Sequence, residues 1–262
     1  MPEREIQAGD LITGFNYILP VDASVCGGQI ASALARGLPE ALSRRRLHII
    51  ANGPTAPIAE LGHIGPTLAL NGAIKLFTDK GLAPDFWACC DPQPLIADYL
   101  PDNPPRNTVY YVASKCHPSV FDKLKGCDVR VWHLKDHPHE GMARVALASS
   151  ITLSASWLFH RLGFTDFEYY GWDGCFLDGK HHAHDSSDWS EWSPVPTIYI
   201  NYSGKQVGDE VIGGQTFATT RTWAAEAKDA GTFFQFAQYF DIGIKIHGDG
   251  MFRCAHETLW AA

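Results

Sequence analysis

No stretch of the 262-residue chain approaches the roughly 20 continuous apolar residues that a membrane-spanning helix requires. The first residues, MPEREIQAGDLITG, carry charges where a secretory leader would need an apolar run. A cytoplasmic location without a membrane span is therefore expected. Positive charge is also in short supply: 21 Lys and Arg stand against 29 Asp and Glu, a formal charge of -8. Nucleic-acid binding is driven largely by basic side chains neutralising phosphates, so a nucleic-acid partner is not expected. A small anion in a local pocket escapes that argument. Seven cysteines, an odd number with no CxxC pair, fit reduced thiols better than a disulfide framework or a structural zinc site.

Several catalytic signatures are missing too. There is no GxxxxGK[ST] phosphate loop, no GxSxG elbow and no GxGxxG fingerprint. Nor is there an Asp-x-Asp pair of the kind that often holds a divalent ion in sugar-nucleotide transfer. The chain does have the material for a substantial core, at 45% apolar and 19% charged residues.

Short apolar runs bounded by turn residues dominate the first two thirds. LHIIA (47–51) stops at the turn NGPT, and strands follow at 67–70, 85–90, 107–114 and 127–134. A helix is expected over 72–80 with Gly81 as its stop, and another in HPSVFDKLKG. Residues 149–164 have helical spacing with serines to cap the start, and FEYYGWD (167–173) is a strand entering a turn. From 177 to 215 the composition shifts to His, Ser, Asp, Trp and Gly, which reads as an inserted lid-like loop with a hairpin near PTIYINYSG. A helix returns at TTRTWAAEAKDAGTFFQFAQYFDIG, broken at Gly231, and the strand IKIHG (244–248) closes the fold. Strands and helices at these intervals predict an α/β fold, a Rossmann-like, mainly parallel sheet flanked by helices. The expected organisation is an N-terminal extension over 1–44, then one nucleotide-binding transferase domain over 45–262.

Polar residues fall where such a sheet binds ligands. Asn52, Asn71, Asp91, Ser114 and Asp173 all lie at or just past an expected strand end. In NGPT, Gly53 lets backbone approach a ligand, Pro54 fixes the exit, and Asn52 offers an amide donor and a carbonyl acceptor. Such a turn can be purely structural or can cradle a nucleotide. LNGA repeats it at the next strand end, which would let Asn52 and Asn71 read a ribose or base together. Asp91 before Pro92 can form an Asx turn or meet a ligand or metal. GWDGCFLDGKHHAHD brings Asp173 and then His181, His182 and His184. Three readings stay open for these histidines: a lid that carries a general base, a solvent-exposed loop, and a metal cluster.

The ordered series HIIANGPT, LALNGAIKLFTDKGLAPDFWACCD, SITLSASWLFHRLGFTDFEYYGWDGCF and HHAH resembles the MptE-like family. That family is named after the archaeal 6-hydroxymethylpterin diphosphokinase and includes the central domain of flagellin-modifying motility accessory factors. The same order is similar to bacterial sialyltransferases with a Rossmann-like fold. The resemblance spans about residues 46–185. It implies that Asn52, Gly53, Pro54, Thr55, Asn71 and Asp91 bind a nucleotide, with Ser149, Ser150 and Thr152 at a helix start facing its phosphate. It places Asp173 in a Gly-x-Asp turn of the catalytic set, and His182 or His184 near the lid histidine. Ala51, Thr55 and a helix start without glycine depart from the pattern.

Three functions follow as expectations. One is glycosyl transfer from a CMP-activated sialic or nonulosonic acid, which requires no cofactor. A second is diphosphoryl transfer from ATP to a hydroxymethyl-dihydropterin, with magnesium held by Asp91 and Asp173. The third is nucleotide binding without turnover. The partners would be a nucleotide or nucleotide-sugar donor and a small-molecule or glycan acceptor. The aromatic helix near the C-terminus could supply a homo-oligomer interface.

Overall fold

The computed structural model describes residues 45–57, 60–134, 149–178, 180, 182–183, 197–202, 205–207, 210–212 and 215–259. The expected N-terminal extension, His181, His184 and much of the inserted segment lie outside these residues.

The early apolar runs form β1 (Arg46–Ile50), β2 (Thr67–Leu70), β3 (Phe86–Cys89), β4 (Val109–Ala113), β5 (Asp128–Trp132) and β6 (Asp166–Tyr170). The inserted segment holds β7 (Thr197–Tyr202), β8 (Lys205–Val207), β9 (Glu210–Ile212) and β10 (Gln215–Thr220), and β11 (Gly243–Ile246) follows. The helices are α1 (Ile74–Thr78), α2 (Pro118–Lys123), α3 (Ile151–Arg161), α4 (Arg221–Tyr239) and α5 (Met251–Leu259). Seven strands make one sheet in the order β11-β6-β1-β2-β3-β4-β5, and every neighbouring pair is parallel. The fold is Rossmann-like α/β, as the strand and helix spacing predicts.

Parallel strands covered on both faces need no polar alternation. TLAL and FWAC are accordingly buried at every position. Phe159 of α3 meets Phe86 and Tyr111 of the sheet edge-on, with ring centroids 5.2 and 5.0 Å apart. Trp157 then bridges α3 to α4 through Phe233 and Phe236, at 5.4 and 4.2 Å.

The strand order has a functional consequence. From β1 the chain winds outward through β2 to β5, then returns to place β6 and β11 on the other side of β1. The reversal opens a crevice beyond the carboxyl ends of β1 and β6, where open α/β sheets bind ligands. The register sets Ile50 beside Tyr170, so NGPT and GWDG leave the sheet together.

Three expectations are corrected. α4 runs unbroken through Gly231, which is buried within it. Glycine inside a helix costs about 1 kcal/mol relative to alanine, and burial of Phe233, Phe234 and Ala237 on the same helix outweighs it. The helix expected over 72–80 is a 3-10 turn at Asn71–Ala73 followed by the five-residue α1. Finally, IKIHG does not end the fold, because α5 follows it. The hairpin expected in the insertion is present as β7 paired antiparallel with β10.

Candidate functional site

The loop after β1 is shaped by contacts with the loop after β6. Gly53 N–H donates to the Gly171 carbonyl at 2.8 Å. A Cβ on Gly53 would collide with that carbonyl and with the Asp173 carboxylate, so only glycine fits. Asp173 is 2% exposed and is held from two directions. Its carboxylate accepts from Thr55 Oγ1 at 2.6 Å and from Thr55 N–H at 3.0 Å, while its backbone carbonyl accepts from Met251 N–H at 2.7 Å. Burial pushes the Asp173 carboxyl above the usual carboxylate range, and the two Thr55 bonds oppose that rise. Thr55 thus turns inward to brace Asp173.

Beyond these loops lies a cavity of about 590 Å³, within the range of small-molecule sites. Asn52, Gly53, Asn71, Asp91, Asp173 and His182 all line it, as do Ser150 and Thr152 at the start of α3. Residues dispersed over 130 positions of sequence therefore share one wall. Pro54, Thr55 and Ser149 do not line it. Thr55 stands behind the wall against Asp173, and Ser149 N–H donates to Asp229 at 3.1 Å at an exposed position.

Two features of the wall point to a ligand. The Oδ1 atoms of Asn52 and Asn71 are buried and accept no hydrogen bond among the described residues. Buried polar atoms are nearly always satisfied, so both are acceptors awaiting a donor. Asn71 is also held at φ 46°, in the left-handed region that Asn tolerates better than most residues, with its carbonyl accepting from Trp87 Nε1 at 2.9 Å. The second feature is charge: Asp91, Asp173 and Glu226 line the cavity, with no Lys or Arg among the described lining residues.

Helix starts supply what positive character the wall has. Ser150 caps α3 by accepting from Leu153 N–H at 3.3 Å, and Thr220 caps α4 by accepting from Trp223 N–H at 3.2 Å. Ser150, Ile151 and Thr152 at one start, and Thr220, Thr222 and Trp223 at the other, all line the cavity. Helix N-termini favour anions through their free N–H groups and dipole. His182 comes from the insertion, where Ala183 N–H donates to the Asn52 carbonyl at 2.8 Å. That bond ties the histidine to the asparagine loop. Asp91 forms the expected Asx turn, its Oδ1 accepting from Gln93 N–H at 2.9 Å, while also facing the cavity. Among the described residues no three His, Cys, Asp or Glu side chains converge to hold a metal ion.

The chain superposes on the MAf glycosyltransferase from Magnetospirillum magneticum AMB-1 with a TM-score of 0.51. The likeness is one of fold. The two are 11% identical over 88% of this chain, and this chain spans 40% of that one. A protein from Lactobacillus plantarum, 14% identical, aligns over 67% of this chain and 88% of its own with a TM-score of 0.30, too loose to argue from. No family model and no curated protein matches the chain. Among the described residues no helix is long and apolar enough to cross a membrane.

Glu226 is one of the cavity residues that sequence reasoning missed. It is 5% exposed and accepts from Trp172 Nε1 at 2.8 Å, with the Ser150 hydroxyl beside it. Burial pushes its carboxyl up to about 7, against the pull of the Ser150 hydroxyl and the Trp172 indole and with a further push from Asp229. Trp172 in turn stacks on Phe252 of α5 at 4.5 Å. In sequence Glu226 sits in TWAAEAKDA, which looks like a solvated helix face.

Proposed function

We propose that the cavity binds a nucleotide-activated sugar of the CMP-nonulosonic acid type and transfers the sugar to an acceptor hydroxyl. The observation that carries this reading is the pair of buried Asn52 and Asn71 oxygens, which have no partner among the described residues, in a cavity whose described lining holds no lysine or arginine. Two carbonyl acceptors suit a nucleoside, whose ribose hydroxyls and exocyclic amine are donors. A single phosphodiester needs little neutralisation, which the start of α3 at Ser150 and Thr152 can supply. A triphosphate would meet Asp91, Asp173 and Glu226 with no cationic side chain among the described lining residues to balance it. The fold likeness to a glycosyltransferase supports the same reading without deciding it.

In this scheme the nucleoside lies across Asn52 and Asn71, with its phosphate at the start of α3. His182, held beside the Asn52 loop, takes the proton of the acceptor hydroxyl as it attacks the anomeric carbon. His184 is the alternative base from the same segment. Asp173 fixes the loop geometry through Thr55. The second reading, an MptE-type diphosphokinase, is favoured by Asp91 and Asp173 lining one cavity, where both could meet a magnesium ion carried in by ATP.

A thermal-shift panel separates the readings. CMP at about 100 times its dissociation constant should stabilise the full chain by about 2.7 kcal/mol without added metal. Stabilisation only by ATP with magnesium would replace this reading with the diphosphokinase. His182→Ala should lower turnover by about 100-fold and leave CMP binding unchanged. Full activity in that variant removes the histidine from its role.

A further inference from the structure

Glu226 is a carboxyl group in an unusual setting. It is buried at the junction of α4, the start of α3 and the end of β6, and still forms part of the cavity wall. Its neighbours are two neutral groups, the Trp172 indole that donates to it and the Ser150 hydroxyl beside it. A structural glutamate at such a depth normally faces a cation, since an unpaired buried carboxylate is costly. Among the described residues, the elements around it bring none to the cavity. The β6 end contributes Trp172 and Asp173, α3 contributes Ser150, and α5 contributes Phe252. The β3 end adds Asp91, the insertion adds His182, and Asp229 follows on α4. Every fixed charge in that set is negative.

Resting on the donor reading above, we propose that Glu226 is the proton source for the departing phosphate, with the Ser150 hydroxyl as the bridge. Ser150 faces both sides: its hydroxyl lies beside Glu226 in the cavity wall, and it stands at the helix start where the phosphate would sit. As the bond between the anomeric carbon and the phosphate oxygen breaks, its electron pair stays on that oxygen. The oxygen takes a proton from Ser150 while Ser150 takes the Glu226 proton. The acceptor oxygen bonds to the anomeric carbon, and its own proton passes to His182. The products are the glycoside and CMP with a singly protonated phosphate. Glu226 is then reprotonated from solvent, and His182 releases its proton there. A carboxyl that burial keeps partly protonated near pH 7 is suited to this task.

The test uses the full chain with CMP-N-acetylneuraminic acid, water as the acceptor, and CMP release as the readout between about pH 5 and 9. Wild-type kcat should fall about tenfold per pH unit once Glu226 is ionised. Glu226→Gln preserves size and neutrality but has no proton to give. It should lower kcat about 100-fold at pH 6, abolish the fall above pH 7, and change the donor KM by less than about twofold. Ser150→Ala should reproduce the loss of kcat.

Wild-type kcat with no fall near pH 7 overturns the proposal, and that outcome needs no variant to fold. So does a Glu226→Gln variant with wild-type kcat, or one whose reduced kcat keeps the wild-type pH profile, which would mark a packing role. A wild-type chain that neither binds CMP nor releases it from the donor overturns the donor reading and this proposal together. CMP binding and release that are indifferent to Glu226→Gln overturn this proposal alone.

Discussion

Replacing Glu226 by glutamine should make the protein more stable at alkaline pH and leave it nearly unchanged in acid. The Glu226 carboxyl rises from 4.5 to about 7 in the folded chain, chiefly because burial penalises its charge. Between those two values the folded state holds a proton that the unfolded state has lost, so stability falls as pH rises. At about 1.4 kcal/mol per tenfold change in an ionisation constant, the fold loses about 3 kcal/mol from this group by pH 8. Glutamine carries no such charge and keeps an oxygen for Trp172 Nε1. Urea denaturation of both proteins at pH 5 and pH 8 should give similar stabilities in acid and a gain of about 3 kcal/mol for the variant at pH 8. For a chain of this size that gain corresponds to roughly 6 to 12 °C in Tm. Parallel stability curves across this range would refute the reasoning, since Glu226 would then ionise in the fold as it does in water.

Two further outcomes follow from the loop contacts. Thr55→Val removes the 2.6 Å bond to the buried Asp173 carboxylate and should cost about 1–3 kcal/mol at pH 7. Asp173 already sits above its ordinary value, and losing a donor raises it further, so the cost should shrink toward pH 4 as the group protonates; an equal cost at both pH values in chemical denaturation would contradict this. Asn52→Ala deletes a buried oxygen that has no partner among the described residues, so the ligand-free Tm should hold within about 2 °C while CMP affinity in a titration drops about tenfold. A large loss of Tm would show that Asn52 serves the loop rather than a ligand.

Much of the sheet is legible in the sequence because its strands are short apolar runs ended by Asn, Gly, Pro or Asp. TLAL sits where its run predicts, and FWAC and VYYVA do so trimmed by a residue or two at the ends. The strand-end residues Asn52, Asn71, Asp91 and Asp173 meet because parallel strands deliver all their carboxyl ends to one side. What escaped depends on tertiary contacts. Glu226, flanked by alanines, is buried only because Trp172, 54 positions earlier, reaches it. Met251, Phe252 and Ala255 are apolar at helical spacing, a signal for α5 obscured by the preceding Gly-Asp-Gly turn. Gly231 looked like a breaker because local propensity carries no record of the aromatic packing around it.

Thr220 is at once the last residue of β10 and the cap of α4, so no linker separates the inserted hairpin from the long helix. The junction works as a rigid lever. A tilt of the β7 and β10 pair cannot be absorbed by slack chain. It must turn the first residues of α4 or break the Thr220–Trp223 bond, and Glu226 lies one turn further along. Of the described hairpin residues only Thr197 and Thr220 line the cavity, so substitutions elsewhere on it can tune the proton inventory of a site that they do not line.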